Sequence, residues 1–124
     1  MRAGRNDCYD RLVFDASGPI DGYIVSYVDT VFEDPTAVPV PLRGDAKLSI
    51  TVIAAAYDES GNLTYVPANR TELVDVTGFQ TFRQVAWAGS FEGTTTVGLG
   101  VRARLPFRVF NLPNRIVVDV AHFW

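Results

Sequence analysis

The stretches "RLVFDAS" (Arg11–Ser17) and "RIVVDVA" (Arg115–Ala121) place arginine, valine and aspartate at the same first, third and fifth positions. In an extended chain alternate residues share a face, so Arg11, Val13 and Asp15 point one way and Leu12, Phe14 and Ala16 the other. The second copy behaves alike: Arg115, Val117 and Asp119 share a face, with Ile116, Val118 and Val120 opposite. Residues four apart on one strand are separated by about 13 Å, too far for an arginine to pair with its own strand's aspartate. Laid antiparallel, however, Arg11 opposes Asp119, Val13 opposes Val117 and Asp15 opposes Arg115. A parallel pairing in register would set like charges side by side. The repeat therefore predicts a domain of two related halves whose matching strands pair about a pseudo-twofold axis.

Period-two alternation recurs along most of the chain. In "KLSITVIA" (47–54) Leu48, Ile50 and Val52 are the inward set, with Lys47, Ser49 and Thr51 outward. In "TVGLGVRARL" (96–105) Val97, Leu99, Val101, Ala103 and Leu105 fall on one face, and Gly98, Gly100, Arg102 and Arg104 on the other. "GYIVSYVDTVF" (22–32) and "TFRQVAWAG" (81–89) add β-branched and aromatic segments suited to pleated sheet. Turn chemistry separates them, and "AYDESGNLTYV" (56–66) reads as a hairpin with its tip at Gly61 and Asn62. No segment supports more than one or two helical turns. The expected fold is all-β: a single domain over 1–124, a two-layer sandwich or a partly closed barrel with pseudo-twofold halves.

Composition narrows the function. Residues 1–79 carry 6 basic and 12 acidic side chains, and residues 80–124 carry 5 arginines against 2 acids, for a net charge of −3. That local excess is too weak a field for nucleic acid but suits an anionic glycan or a carboxylate. No apolar run reaches the ~20 residues that span a bilayer. The opening "MRAGRND" lacks the apolar stretch of a signal peptide, so the address segment of an exported protein is expected to lie outside this sequence. The single Cys8 allows no internal disulfide and is expected as a small buried thiol beside the first strand.

Catalytic chemistry is thinly supplied. His122 is the only histidine, three positions from Asp119 and on the opposite strand face, so it is expected to cap a sheet end beside Phe123 and Trp124. Glu92, between an aromatic and a glycine, is expected as a turn carboxylate accepting backbone amides. "GLG" (98–100) lacks the third glycine and the following helix of a phosphate cradle. No catalytic residue, metal ligand or cofactor is expected. For a binding module the useful groups are guanidiniums that grip carboxylates and aromatic rings that stack on sugars. Arg102, Arg104 and Arg108 are the expected ligand contacts, the first two outward beside a shallow gap over Gly98 and Gly100 that a ligand or Trp87 could fill.

Both ends of the chain resemble a known family. "RAGRNDCYDRLVFDASGPIDGYIVSYV" (2–28) is similar to one half of an AMIN domain: an Arg-x-Gly opening, an Arg-Val-Val-Phe-type strand, an aromatic return strand. "PFRVFNLPNRIVVDVA" (106–121) is similar to the other half, an aromatic strand and a Leu-x-x-Pro-type turn leading into Arg-hydrophobic-Val-hydrophobic-Asp. The halves stand in the reverse of the usual order, as in a permuted relative. With "GSFEGTTTVGLGVRARLPFRVF" (89–110), the whole chain resembles the AMIN-like domain of actinobacterial secreted proteins and lipoproteins. The resemblance implies a non-catalytic β-sandwich, extracellular or attached to the cell envelope, that contacts peptidoglycan or another cell-wall polymer. From the residues alone, a small-molecule carrier with an apolar cavity in a β-barrel is the alternative.

Overall fold

A computed structural model describes residues 1–124 except 17–19, 21, 34–35, 54–68 and 92. The hairpin expected around Gly61 and the turn carboxylate expected at Glu92 lie outside the described residues. What is described is all strand and loop, with no helix: β1 (Arg2–Arg5), β2 (Tyr9–Asp15), β3 (Tyr23–Val28), β4 (Val31–Phe32), β5 (Pro39–Val40), β6 (Ala46–Val52), β7 (Phe82–Phe91), β8 (Thr94–Val101), β9 (Phe107–Leu112) and β10 (Arg115–Ala121). Two four-stranded antiparallel sheets, ordered β1-β2-β10-β9 (sheet A) and β3-β6-β8-β7 (sheet B), face one another, and β4-β5 form a third, small sheet. None closes into a barrel, so the sandwich is the architecture.

The doubled strand forms the centre of sheet A in the register its charges require. Arg115 opposes Asp15, Val117 opposes Val13 and Asp119 opposes Arg11. Each copy carries a flanking hairpin partner, β1 beside β2 and β9 beside β10. The β9–β10 corner is Pro113–Asn114, with Asn114 at φ 60°. Proline at the first corner and a left-handed asparagine at the second is the pattern of a type II turn.

Strand parity sorts the core. Leu12, Phe14, Ile116, Val118 and Val120 of sheet A pack in one buried cluster with Leu48, Ile50, Val52, Val85, Val97, Leu99 and Val101 of sheet B. Each such side chain contributes about 1.5–3 kcal/mol relative to an exposed one. Sheet A's other face carries side chains open to water, among them Arg2, Arg108 and Arg115, whereas sheet B's is partly covered.

That cover corrects one expectation. Strand β8 ends at Val101, and residues 102–104 turn away, so Arg102 and Arg104 do not continue the Gly98/Gly100 face. The gap over the glycines is filled by the chain's own segment around Leu42 and Arg43. A Cβ on Gly98 would meet Leu42 Cδ1 at 2.8 Å, and one on Gly100 would collide with the Arg43 carbonyl oxygen. Glycine is used here for close backbone approach. Likewise the "GYIVSYVDTVF" segment divides, with Tyr23–Val28 in sheet B and Val31–Phe32 in the small sheet. Cys8, expected buried, is exposed, because it sits in the turn between β1 and β2 instead of in a strand.

Candidate functional site

The outer face of sheet A gathers charged and aromatic side chains from all four of its strands. Parity along β2 brings Tyr9, Arg11, Val13 and Asp15 to this face, and the β10 register adds Arg115, Val117 and Asp119. Strand β9 contributes Arg108 opposite Asp119 and Phe110 opposite Val117, and β1 contributes Arg2 opposite Val13 and Gly4 opposite Arg11. A Cβ on Gly4 would meet nothing within 4 Å, so this glycine leaves open space beside Arg11.

Two Arg–Asp–Arg clusters result. In the first, Arg11 grips Asp119 with both prongs, Nε to Oδ1 at 2.7 Å and Nη2 to Oδ2 at 2.9 Å, while Arg108 Nε donates to Oδ2 at 2.8 Å. The Asp119 side chain is 2% exposed, whereas Arg108 is 62% exposed. Aromatic rings frame the two cations. The Arg11 guanidinium lies 5.3 Å from the Tyr9 centroid and 5.6 Å from Phe110, and that of Arg108 lies 5.0 and 5.9 Å from the same rings. At these distances the ring faces attract the cations. Burial pushes the Asp119 carboxyl up, but the hydrogen bonds and charges of Arg11 and Arg108 outweigh it and hold Asp119 below the usual carboxylate range. Both arginines are in turn raised, chiefly by their hydrogen bonds to Asp119.

In the second cluster, Arg2 donates to Asp15 through Nε at 2.9 Å and Nη2 at 3.1 Å, and Arg115 Nε lies 3.7 Å away on the other side. Asp15 is 41% exposed and no ring frames the cations in the described contacts. The hydrogen bond from Arg2 lowers the Asp15 carboxyl, against a smaller upward push from desolvation. Asp15 and Asp119 are four residues apart in register, so the two cationic clusters stand about 13 Å from one another along the strands. Each carries two positive charges and one negative.

The three arginines expected as ligand contacts are not brought together. Arg102 donates through Nη2 to the carbonyl of His122, tying the turn after β8 to the end of β10. Arg104 pairs with Asp29 at 3.1 Å and lies over the Tyr27 ring at 5.8 Å, at the sandwich end where Trp124 donates to the Arg104 carbonyl. Arg108 alone stands on the sheet A face. Tyr9, Phe110 and Arg2 escape a reading of the sequence. The available signal was parity, since Tyr9 shares a face with Arg11 and Phe110 with Arg108.

His122 is 1% exposed and is a tie between chain ends. Its Nε2 donates to the Asn6 carbonyl at 2.8 Å, and its Nδ1 meets the Thr81 hydroxyl at 2.7 Å. Asp10, also buried, accepts the Thr81 and Phe82 amides through Oδ2 at 2.7 and 3.0 Å. Asp10 Oδ1 has no hydrogen-bond partner and lies 3.8 Å from His122 Nε2. Threonine, histidine and aspartate here are all buried and join β2, the end of β10 and the start of β7. Among the described residues no group of three metal-ligating side chains forms. An open groove of about 540 Å³ runs beside β5 and β7, with Val40, Leu42 and Trp87 in its lining and Arg43, Arg70 and Glu72 among its charged residues.

An antiparallel sandwich with an open, cationic and aromatic sheet face, and with its histidine sealed in the interior, has the form of a binding module. The family model of the AMIN-like domain matches residues 1–122, and the chain belongs to that family. Domains of this family are in general non-catalytic binding domains, related to the cell wall and found in secreted or envelope proteins. No curated protein and no solved structure matches the chain. No helix among the described residues is long and apolar enough to cross a membrane.

Proposed function

We propose that this domain is a non-catalytic module that holds its parent protein to an anionic polymer of the cell envelope, peptidoglycan being the first candidate, through the outer face of sheet A. The observation that carries the reading is the pair of cationic clusters on one uncovered face, one of them framed by Tyr9 and Phe110. Asp119 occupies Nε and Nη2 of Arg11 but only Nε of Arg108, so the Arg108 Nη groups are left to grip a ligand carboxylate. The Tyr9 and Phe110 rings offer apolar surface beside that cation for a sugar or peptide chain. Because each aspartate orients its arginines before the ligand arrives, little side-chain freedom remains to be lost on binding. The domain works, on this reading, outside the cytoplasmic membrane and without a cofactor.

The test is retention on purified cell wall. Wild type is expected to be retained and eluted by salt, as screened charge contacts require. Arg108→Ala is expected to lose most of its retention while keeping its fold by circular dichroism. Arg102→Ala/Arg104→Ala tests the two arginines that lie away from this face and is expected to bind like wild type. Failure of the wild-type protein to bind the wall at low salt overturns the proposal. Loss of binding in the Arg102/Arg104 variant alone moves the site to the far end of the sandwich.

A further inference from the structure

The four edges of sheets A and B are not treated alike. The outer edge of β7 is occupied by residues 70–73, whose backbone bonds run from Leu73 N to the Val85 carbonyl (2.8 Å) and from Trp87 N to the Arg70 carbonyl (2.7 Å). Strand β1 is four residues long with exposed Arg2 and Arg5 at its ends, and β9 carries Arg108 and runs into Pro113. Charge, shortness and proline are the usual means of keeping an edge from pairing with another chain. Strand β3, "YIVSYV", uses none of them: it is six residues long with no charged side chain. Among the described residues, no backbone hydrogen bond joins its outer edge to another segment. Ile24 (64% exposed) and Tyr23 stand open on it, with Ile53 exposed at the adjoining end of β6.

This edge is also held in place. The Tyr27 hydroxyl donates to the Leu105 carbonyl at 2.5 Å and that of Tyr23 to the Val109 carbonyl at 3.4 Å, while the Tyr27 and Phe107 rings meet edge to face at 5.5 Å. The ladder of amides and carbonyls that has no backbone partner among the described residues is thus presented in extended form, which lowers the ordering cost of adding a strand.

From this we infer that β3 is a homodimer interface, pairing antiparallel with β3 of a second copy about a twofold axis normal to the sheet. The sequence is complementary to itself in that arrangement. An axis through Ser26 sets Ile24 opposite Val28 of the second copy and Val25 opposite its Tyr27, with each side chain on its proper face and no like charges opposed. The same device already operates within the chain, where β2 and β10 pair about Val13 and Val117. Two sheets B become one continuous eight-stranded sheet. A single strand pair is a small interface, so the dimer is of the weak, concentration-dependent class. Its use is avidity: two sheet A faces carried by one particle hold a polymer far longer than either alone.

Sedimentation equilibrium over a concentration series decides the matter. The wild-type mass is expected to rise toward twice 13.6 kDa. Ser26→Lys, an exposed substitution that brings two lysines together at the axis, is expected to remain at the monomer mass with unchanged thermal unfolding. In a Cys8→Ser background, Ser26→Cys is expected to form a covalent dimer on oxidation while Asn111→Cys, exposed near the end of edge strand β9, forms none. A wild type that stays monomeric throughout overturns the inference, as does a dimer that Ser26→Lys leaves intact. Wall retention by monomeric Ser26→Lys is a separate readout, so failure of the dimer leaves the binding proposal standing or falling on its own result.

Discussion

The two Arg–Asp–Arg clusters of sheet A are built from the same repeated strand yet differ in what surrounds them. Asp119 has a strand on either side, β2 and β9, aromatic rings over its arginines and almost no contact with water. Asp15 stands at the other end of the register, half exposed, with Arg2 reaching it diagonally from β1. Removing solvent from a fixed pair of charges strengthens their attraction and raises the cost of leaving either unpartnered. The comparison separates two roles that one motif can hold: the Asp119 cluster ties β2, β9 and β10 together, and the Asp15 cluster holds Arg2 and Arg115 at a surface open to water.

The largest effect should come from breaking the buried member. Asp119→Ala leaves Arg11 and Arg108 facing one another without their counter-ion, and a loss of about 2–4 kcal/mol is expected in chemical denaturation, below the upper end for buried pairs because both guanidiniums can swing toward water. Asp119→Asn keeps the shape and one acceptor but not the charge, and should lie between that variant and wild type. A denaturation midpoint for Asp119→Ala equal to wild type would show that the aromatic frame alone positions the two arginines.

Acid sharpens the same comparison. Asp119 and Asp15 both have carboxyls lowered by folding, so the stability they contribute is complete above the ordinary aspartate value near 3.9 and is lost as pH falls through their lower folded values. Wild-type stability is therefore expected to decline below about pH 4. Asp119→Asn should flatten that decline markedly and Asp15→Asn only slightly. A wild-type curve that is flat down to pH 2, followed by thermal melts, would contradict the charge-based account of both clusters.

How far the sequence discloses all this depends on how local the signal is. The β2·β10 register was readable because charge, parity and repetition agreed on one answer. The fate of Gly98 and Gly100 was not, since the cover comes from Leu42 and Arg43, more than 50 positions away in the chain, and nothing in a glycine names what approaches it. Arg102 and Arg104 looked like the continuation of a strand because Ala103 and Leu105 kept the alternation; the strand ends at Val101, and Leu105 is buried from a turn. Arg108 is legible as a candidate contact, but the repeat assigns Asp119 to Arg11 alone and does not disclose that Arg108 shares it. Tyr9 and Phe110 gain their meaning from three strands meeting. The Asp10–Thr81–His122 tie joins segments more than 40 residues apart and left no local trace.

The smallest effect on stability is expected at the exposed cluster, and it is the one that joins architecture to binding. Asp15→Ala removes an ion pair that is screened and freely hydrated, so it should cost no more than about 1 kcal/mol in denaturation. It also frees Arg2 and Arg115, raising the positive charge of the face by one. If that face meets an anionic polymer, wall retention should survive to higher salt in Asp15→Ala than in wild type, while Arg2→Ala shifts elution the other way. Salt elution profiles of the two variants from the same wall preparation measure this directly. Identical elution of wild type and both variants would confine the contact to the Arg108 end of the sheet, and a large stability loss in Asp15→Ala would erase the distinction between the clusters.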